Sequence, residues 1–170
     1  MPHVKIGKKD KVPLRYIPKN LTKKDKEKQK SYLKKSRKNY KKGKYFIRPK
    51  IKSFKNRKSN HTRRLQELYK VKSARPDKEL AKKSKCSIAT LKKIINKGEG
   101  AYLSSGSRPN QTPQSWGYAR LASALTGGNA AIVDYHLLEK GCDEKSKSLK
   151  LAKSLCIKKN KCNITKKRRS

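Results

Sequence analysis

Acidic residues are scarce in this chain of 170 residues: 11 Asp and Glu stand against 50 Lys and Arg, a formal net charge of +39. Apolar residues are also thin, at 32%, where a compact domain usually holds nearer half. Those shortages exclude a protein apolar throughout, and the length excludes two full-sized domains. No run approaches the roughly 18 apolar residues that a membrane span requires, so no transmembrane segment is expected. The opening Met1-Pro2-His3-Val4-Lys5 lacks the apolar core of a secretory signal, which points to residence or assembly in a cytosol-like compartment. There the four cysteines, Cys86, Cys142, Cys156 and Cys162, with no C-x-x-C among them, read as free thiols, several of them in the core. In such a compartment the Asn-x-Ser/Thr sites at Asn20, Asn60, Asn110 and Asn163 carry no meaning as glycan acceptors.

Catalytic patterning is missing too. Ser104, Ser105 and Ser107 sit beside Arg108, with Asp134 and His136 downstream, but no G-x-S-x-G elbow accompanies them. Asp134 and His136 are two residues apart, which puts them on different sides of one helix. His136, Cys142, Cys156 and Cys162 offer four ligand types, at H-x5-C and C-x5-C spacings looser than structural zinc sites use. No carboxylate cluster suited to metal-assisted chemistry occurs. The expectation is a protein with no catalytic residue, metal, cofactor or small-molecule substrate.

What the chain does have is positive charge, unevenly placed. Residues 1–97 carry +30, residues 98–141 are neutral with three charges of each sign, and residues 142–170 carry +9. Such a balance implies a polyanionic partner. Residues 1–21, with Pro2, Pro13 and Pro18 among lysines, read as an extended basic arm without a core. Residues 22–75 read as a basic helix followed by extended linkers. Thr22 is an N-cap with Asp25 three positions on, and the helix should stop near Lys42 at Gly43. Its apolar content is only Tyr32, Leu33 and Tyr40, so it should lie on a partner or in solvent. Tyr45 to Ile51, broken by Pro49, fits an edge strand or clamp, and Thr62–Tyr69 a short helix with Leu65, Leu68 and Tyr69 on its apolar face.

Residues 76–141 should form a helical core, and 142–170 a basic tail. Within the core, residues 76–97 pattern as two helices across a Ser84-Lys85-Cys86-Ser87 turn, ended by Gly98. Leu80, Ala81, Cys86, Leu91 and Ile94 match the spacing of a helix-turn-helix, although Lys85 stands where such turns usually have glycine. In a DNA reader Ser87, Thr90, Lys92 and Lys93 would face a groove and its phosphates. A plain helical hairpin used for packing is the commoner use of this pattern.

The neutral stretch opens with a Gly/Ser loop over 98–110. Thr112 then caps a helix with Pro113 at its first position, ending at Gly127-Gly128. Tyr118, Leu121, Ala122 and Leu125 form its buried stripe, and a further helix should cover Ala130–Lys140. The expected core is Leu80, Ala81, Leu91, Ile94, Trp116, Tyr118, Leu121 and Leu125. The amides of Ser105, Gly106 and Ser107, with Arg108, are candidates for an anion nest, and Arg120 is a further candidate anion or nucleic-acid contact. Lys166-Lys167-Arg168-Arg169 has the composition of a nuclear address.

Lys97-Gly98-Glu99-Gly100-Ala101-Tyr102, Ser104-Ser105-Gly106-Ser107-Arg108-Pro109-Asn110-Gln111-Thr112-Pro113, Trp116-Gly117-Tyr118-Ala119-Arg120 and Thr126-Gly127-Gly128 together resemble a family. Its members are small basic proteins of unknown function from large double-stranded DNA viruses, chloroviruses among them, and some phages. The resemblance implies a setting, the virion, rather than a mechanism. The fold class expected is mainly α, a small helical core with long basic arms and little or no β-structure. The function expected is a non-enzymatic minor capsid protein on the inner face of the shell, stapling other capsid proteins with its arms. The alternative is a virion protein that binds and condenses double-stranded DNA nonspecifically, using the helix-turn-helix-like hairpin over 76–97 and the lysine arms. Either would be found in the virion, and in the host cytoplasm or nucleus during assembly.

Overall fold

The computed structural model describes residues 3–7, 10–56 and 59–162. Lys166-Lys167-Arg168-Arg169 and Asn163 lie outside them. The fold is mainly α: among the described residues there are eight α-helices and one two-stranded hairpin. No helix among these residues is long and apolar enough to cross a membrane. The chain divides into two compact units, one of residues up to 57 with 97–116, the other of 58–96 with 117 onward.

In the first unit the expected extended arm is folded. Strands β1 (His3–Lys5) and β2 (Lys11–Pro13) pair antiparallel, with Val4 opposite Val12. A 3-10 turn over Leu14–Tyr16 follows. Val12, Tyr16 and Ile17 are buried together with Leu33, and Val4, Ile6 and Trp116 pack on them. Four buried side chains are few, but they let a lysine-rich segment order itself.

Helix α1 (Lys23–Tyr40) starts as expected: the Thr22 hydroxyl accepts from the Asp25 amide at 3.2 Å. Beyond it Gly43 turns the chain at φ +68°. Apolar burial on this helix is limited to Leu33. Its inner face is Asp25, Gln29, Leu33 and Ser36, three of them polar, and each polar group is hydrogen-bonded. Asp25 accepts from the Ser53 amide at 3.0 Å. Gln29 donates to the carbonyls of Tyr16 and Ser107, at 3.0 and 3.3 Å. Ser36 donates to the Leu103 carbonyl at 3.0 Å. The expected strand over residues 45–51 does not form; that segment is irregular and held by side chains.

Helix α2 (Asn60–Tyr69) buries Leu65 and Tyr69 as expected. Helix α3 (Lys78–Ser84) is capped by Asp77, whose carboxylate accepts from the Leu80 amide at 2.8 Å. Lys85 closes it in the left-handed region at φ +54°, the conformation glycine would supply in such a turn. Helix α4 (Ile88–Ser104) then runs through Gly98 and Gly100, so the predicted stop at Gly98 and the loop over 98–104 are corrected. Its apolar positions continue to Tyr102, which is fully buried. The stop comes at Gly106, φ +105°.

Helix α5 (Pro113–Leu125) has the predicted cap: the Ser115 amide donates to the Thr112 hydroxyl and the Thr112 amide to the Ser115 hydroxyl, at 3.0 and 2.9 Å. The single helix predicted over 130–140 is two, α6 (Asn129–Val133) and α7 (Tyr135–Gly141). They break at Asp134, which is buried and held by Arg120. The expected basic tail contains helix α8 (Lys147–Lys159), capped by Ser146 and burying Leu149, Ala152 and Cys156.

The large core lies in the second unit. It joins Leu80, Leu91, Ile94, Leu121 and Leu125 to Leu65, Tyr69, Val71, Leu138, Leu149 and Ala152, with Ala81 and Tyr118 packed on it. Trp116 is not part of this core; it packs edge-on to Tyr16 at 5.9 Å in the first unit. The neutral stretch is thus only one contributor, and the basic flanks supply much of the apolar surface.

The cysteines are not free thiols. Cys86 is bonded to Cys142, and Cys156 to Cys162. Cys86 and Cys142 face each other across an antiparallel bridge. It is flanked by bonds from the Ser87 amide to the Gly141 carbonyl and from the Asp143 amide to the Lys85 carbonyl, both 2.8 Å. The sequence separation of 56 residues hid that pairing.

Two outcomes follow from the packing. A Cβ at Gly106 would meet Leu33 Cδ2 at 2.5 Å, whereas Gly43 has open space around it. Gly106→Ala should therefore destabilise the first unit by roughly 2–4 kcal/mol and Gly43→Ala by about 1 kcal/mol in urea titrations. Replacing Cys86 and Cys142 by Ser should lower stability by about 4 kcal/mol in the loop-entropy treatment, and replacing the short-loop Cys156–Cys162 pair by about 2 kcal/mol.

Candidate polyanion-binding surfaces

Residues 105–108, the candidate anion nest, have the opposite polarity. The Ser105 and Gly106 amides both donate to the Ala101 carbonyl at 3.0 Å, so they close the end of α4 rather than face a ligand. What this end presents is carbonyl oxygen, the negative pole of a helix, and the donors that meet it include two guanidiniums. Arg37 donates through Nε and Nη2 to the Ser105 carbonyl at 3.3 and 3.2 Å. Arg48 Nη1 donates to the Tyr102 carbonyl at 2.9 Å.

Arg48 is the buried member of the pair. Nη1 also donates to the Ser36 hydroxyl at 3.0 Å, and Nη2 to the Ser107 hydroxyl at 2.7 Å. The Ser107 hydroxyl in turn donates to the Arg108 carbonyl at 2.8 Å. The guanidinium lies 3.6 Å from the centre of the Tyr102 ring, a cation–π contact. Burial pulls its pKa below the usual arginine value, while Tyr102 and Tyr16 act in the other direction. Asn110 completes the junction: its side chain accepts from the Ile51 amide at 2.6 Å and donates to the carbonyls of Ile51 and Phe54 at 3.0 and 2.8 Å. Ser107 and Asn110 thus hold residues 48–54 in place, and Arg108 is left exposed between them.

Fixing the inner face of α1 determines its outer face. Lys23, Lys24, Lys28, Lys34, Lys35 and Lys38 are all exposed, and at 100° per residue they fall within about 140° of one another. Glu27 is the only exposed acid of α1, and it is ion-paired to Lys30 at 2.7 Å. Ser53 hydrogen bonds, with smaller help from Lys28 and Lys24, hold the inward Asp25 carboxyl below its usual pKa. Aromatic rings border the lysines. Tyr40 and Tyr45 lie 6.3 Å apart, Tyr32 and Phe46 6.2 Å apart, and Lys35 Nζ sits 4.6 Å over Phe46.

In the second unit the helix-turn-helix candidates separate. Lys92 and Lys93 are exposed on α4. Ser87 is the N-cap, its hydroxyl accepting from the Thr90 amide at 3.2 Å and donating to the Thr90 hydroxyl at 3.0 Å. Thr90 is buried under Gly141, where an added Cβ would sit 1.7 Å from its hydroxyl oxygen. Thr90 therefore faces inward, and the outward positions are Ala89, Lys92, Lys93 and Asn96. Arg120 is engaged by Asp134 in a two-pronged pair at 2.7 and 2.8 Å. Asp134 is buried, whereas His136, two residues on, is exposed. No group of His, Cys, Asp and Glu among the described residues is placed to hold a metal ion.

The lysine face could not be read from hydropathy, because its orienting partners are polar. Gln29 and Ser36 at helical spacing from Leu33 were the available signal.

The protein is mainly helical, with a lysine face on α1 and a polar, arginine-centred junction in its first unit and further exposed lysines on the helices of its second. The chain belongs to the family of unknown function DUF5824, which matches residues 13–150. That span contains Arg48, Tyr102, Ser107 and Asn110. No curated protein and no solved structure matches the chain.

Arg48→Lys keeps the charge but removes the planar fork. It should destabilise the first unit by about 2 kcal/mol or more, measured as a lowered urea midpoint, with no loss of polyanion binding beyond what unfolding explains.

Proposed function

We propose that this chain is a non-enzymatic virion protein that binds nucleic-acid phosphate without reading base sequence, on the genome side of the shell. The viral setting rests on the resemblance carried by the Gly106-Ser107-Arg108-Pro109 and Trp116-Gly117-Tyr118-Ala119-Arg120 motifs. The binding rests on one observation, the six-lysine face of α1 with its single, already paired, acid. An 18-residue helix is about 27 Å long, enough to lay its lysines along a stretch of nucleic-acid backbone. Lysine acts there as a point charge, which suits neutralisation better than bidentate reading of base edges. The inward turn of Thr90 and the pairing of Arg120 with Asp134 leave two predicted base or phosphate contacts otherwise engaged, in keeping with nonspecific binding.

A second reading is the minor capsid role. Its stapling arms are less well supported, because residues 10–21 and 147–159 pack into the two units. One observation favours it: Tyr45 and Ile47 are 71% and 56% exposed, an apolar surface that a neighbouring capsid protein would cover. Opening purified particles separates the readings. Release with the DNA and loss from it in high salt support the first; stoichiometric attachment to shell proteins supports the second.

For the full chain on random-sequence duplex DNA, about six phosphate contacts predict an affinity loss of roughly 10³-fold between 50 and 200 mM salt. Replacing Lys23, Lys28, Lys34 and Lys38 by Gln should reduce the slope of log K against log salt by about 3 to 4. Fluorescence anisotropy reads both, and an unchanged slope in the variant would overturn the role of α1.

A further inference from the structure

The second unit contains a basic feature of a different shape. The ends of α2 and α3 and the start of α8 surround a cavity of about 410 Å³, lined by Leu68, Tyr69, Lys70, Lys83, Lys85, Lys145 and Lys147. Its volume falls in the range of small-ligand sites. No carboxylate lines it.

The five lysines are not equivalent. Lys83 Nζ donates to the Lys70 carbonyl and to Glu79 at 2.8 Å, tying α3 to the end of α2. Lys70, Lys85, Lys145 and Lys147 have no ion-pair partner among the described residues. Lys70 and Lys85 occupy the left-handed positions that close α2 and α3, at φ +52° and +54°. Helices usually give those positions to glycine, and a lysine there is disfavoured by the backbone. Both helix ends therefore carry an ammonium where the fold alone would favour no side chain.

The walls are fastened to each other. The Cys86–Cys142 disulfide and the Asp143 amide to Lys85 carbonyl bond at 2.8 Å connect the Lys85 wall to the segment that leads into Lys145 and Lys147. The Asp143 carboxylate is turned onto backbone, accepting from the Lys145 amide at 2.7 Å. The Tyr69 hydroxyl donates to the Leu125 carbonyl at 2.9 Å, and burial pushes its pKa up to about 12, so this wall is neutral and apolar toward the cavity. Four exposed lysines of one sign around a floor of Leu68 and Tyr69 favour an anion there.

We infer that this cavity binds a compact, multiply charged phosphate group, a diphosphate either free or carried by a nucleotide. It differs from the α1 face in being concave and local, where α1 is linear, and it does not depend on the reading given to α1.

Inorganic pyrophosphate titrated calorimetrically into the full chain at 0.15 M salt is expected to fill one site per chain. Lys85→Gly should weaken that binding by about tenfold, the loss of one charge-assisted contact, while raising the urea midpoint, because glycine accepts the left-handed backbone. A purely structural lysine would not move the two readouts in opposite directions. Lys147→Gln should weaken binding similarly, and the four-lysine α1 variant should leave it unchanged. ADP binding tighter than pyrophosphate identifies the nucleotide as the source; equal or weaker ADP binding identifies the free diphosphate. Absence of saturable binding, or equal affinity in the parent, Lys85→Gly and Lys147→Gln chains, would overturn the site without touching the DNA reading.

Discussion

A buried guanidinium that no carboxylate among the described residues neutralises is the constraint around which the first unit is organised. Arg48 is satisfied by one carbonyl, two hydroxyls and the face of Tyr102. Each partner comes from a different part of the chain: Ser36 from α1, Tyr102 from the last turns of α4, Ser107 from the loop beyond it. A charge in low-polarity surroundings is tolerated only when its donors are met, so these segments must come together for any of them to be buried. The end of α4 supplies the negative pole that replaces a counterion.

That constraint explains how so lysine-rich a segment folds at all. The inner face of α1 offers one leucine, Leu33, and the rest of its burial is polar. Directional bonds from Asp25, Gln29 and Ser36 set the rotation of the helix where hydrophobic area could not. With the inner face held, the lysines are turned outward as a group. The binding surface is in this sense a by-product of how the helix is anchored. The second unit uses a different solution, an ordinary apolar core closed by disulfides. Its neutral helices are covered by Leu65, Leu80 and Leu149 from segments that are strongly basic overall.

Much of the local structure was legible. Thr22 and Thr112 with their partners three residues on, and the stops at Gly43 and Gly127, are short-range events, decided by side chains next to the backbone they cap. Errors appear where a distant partner decides. Gly98 looked like a stop, but burial of Tyr102 carries α4 past it. Residues 130–140 looked like one helix, but Asp134 breaks it to meet Arg120. Serines 105 and 107 with Gly106 looked like an anion nest, because composition does not tell the start of a helix from the end of one. Helix α8 was missed although Ser146, Leu149, Ala152 and Cys156 had the spacing, since the lysines between them dominate any average.

By itself the sequence determined the helical character, the caps at Thr22 and Thr112 and the sign of the surface, all of which depend on composition or on neighbours within a turn. Only the tertiary structure decided that Cys86 meets Cys142, that Trp116 sits with Tyr16, and that Arg48 stands between Ser36 and Ser107. It also decided which lysines share a face or a cavity. Those outcomes depend on side chains finding partners tens of residues away, and a contact at that distance leaves no periodic trace in the chain.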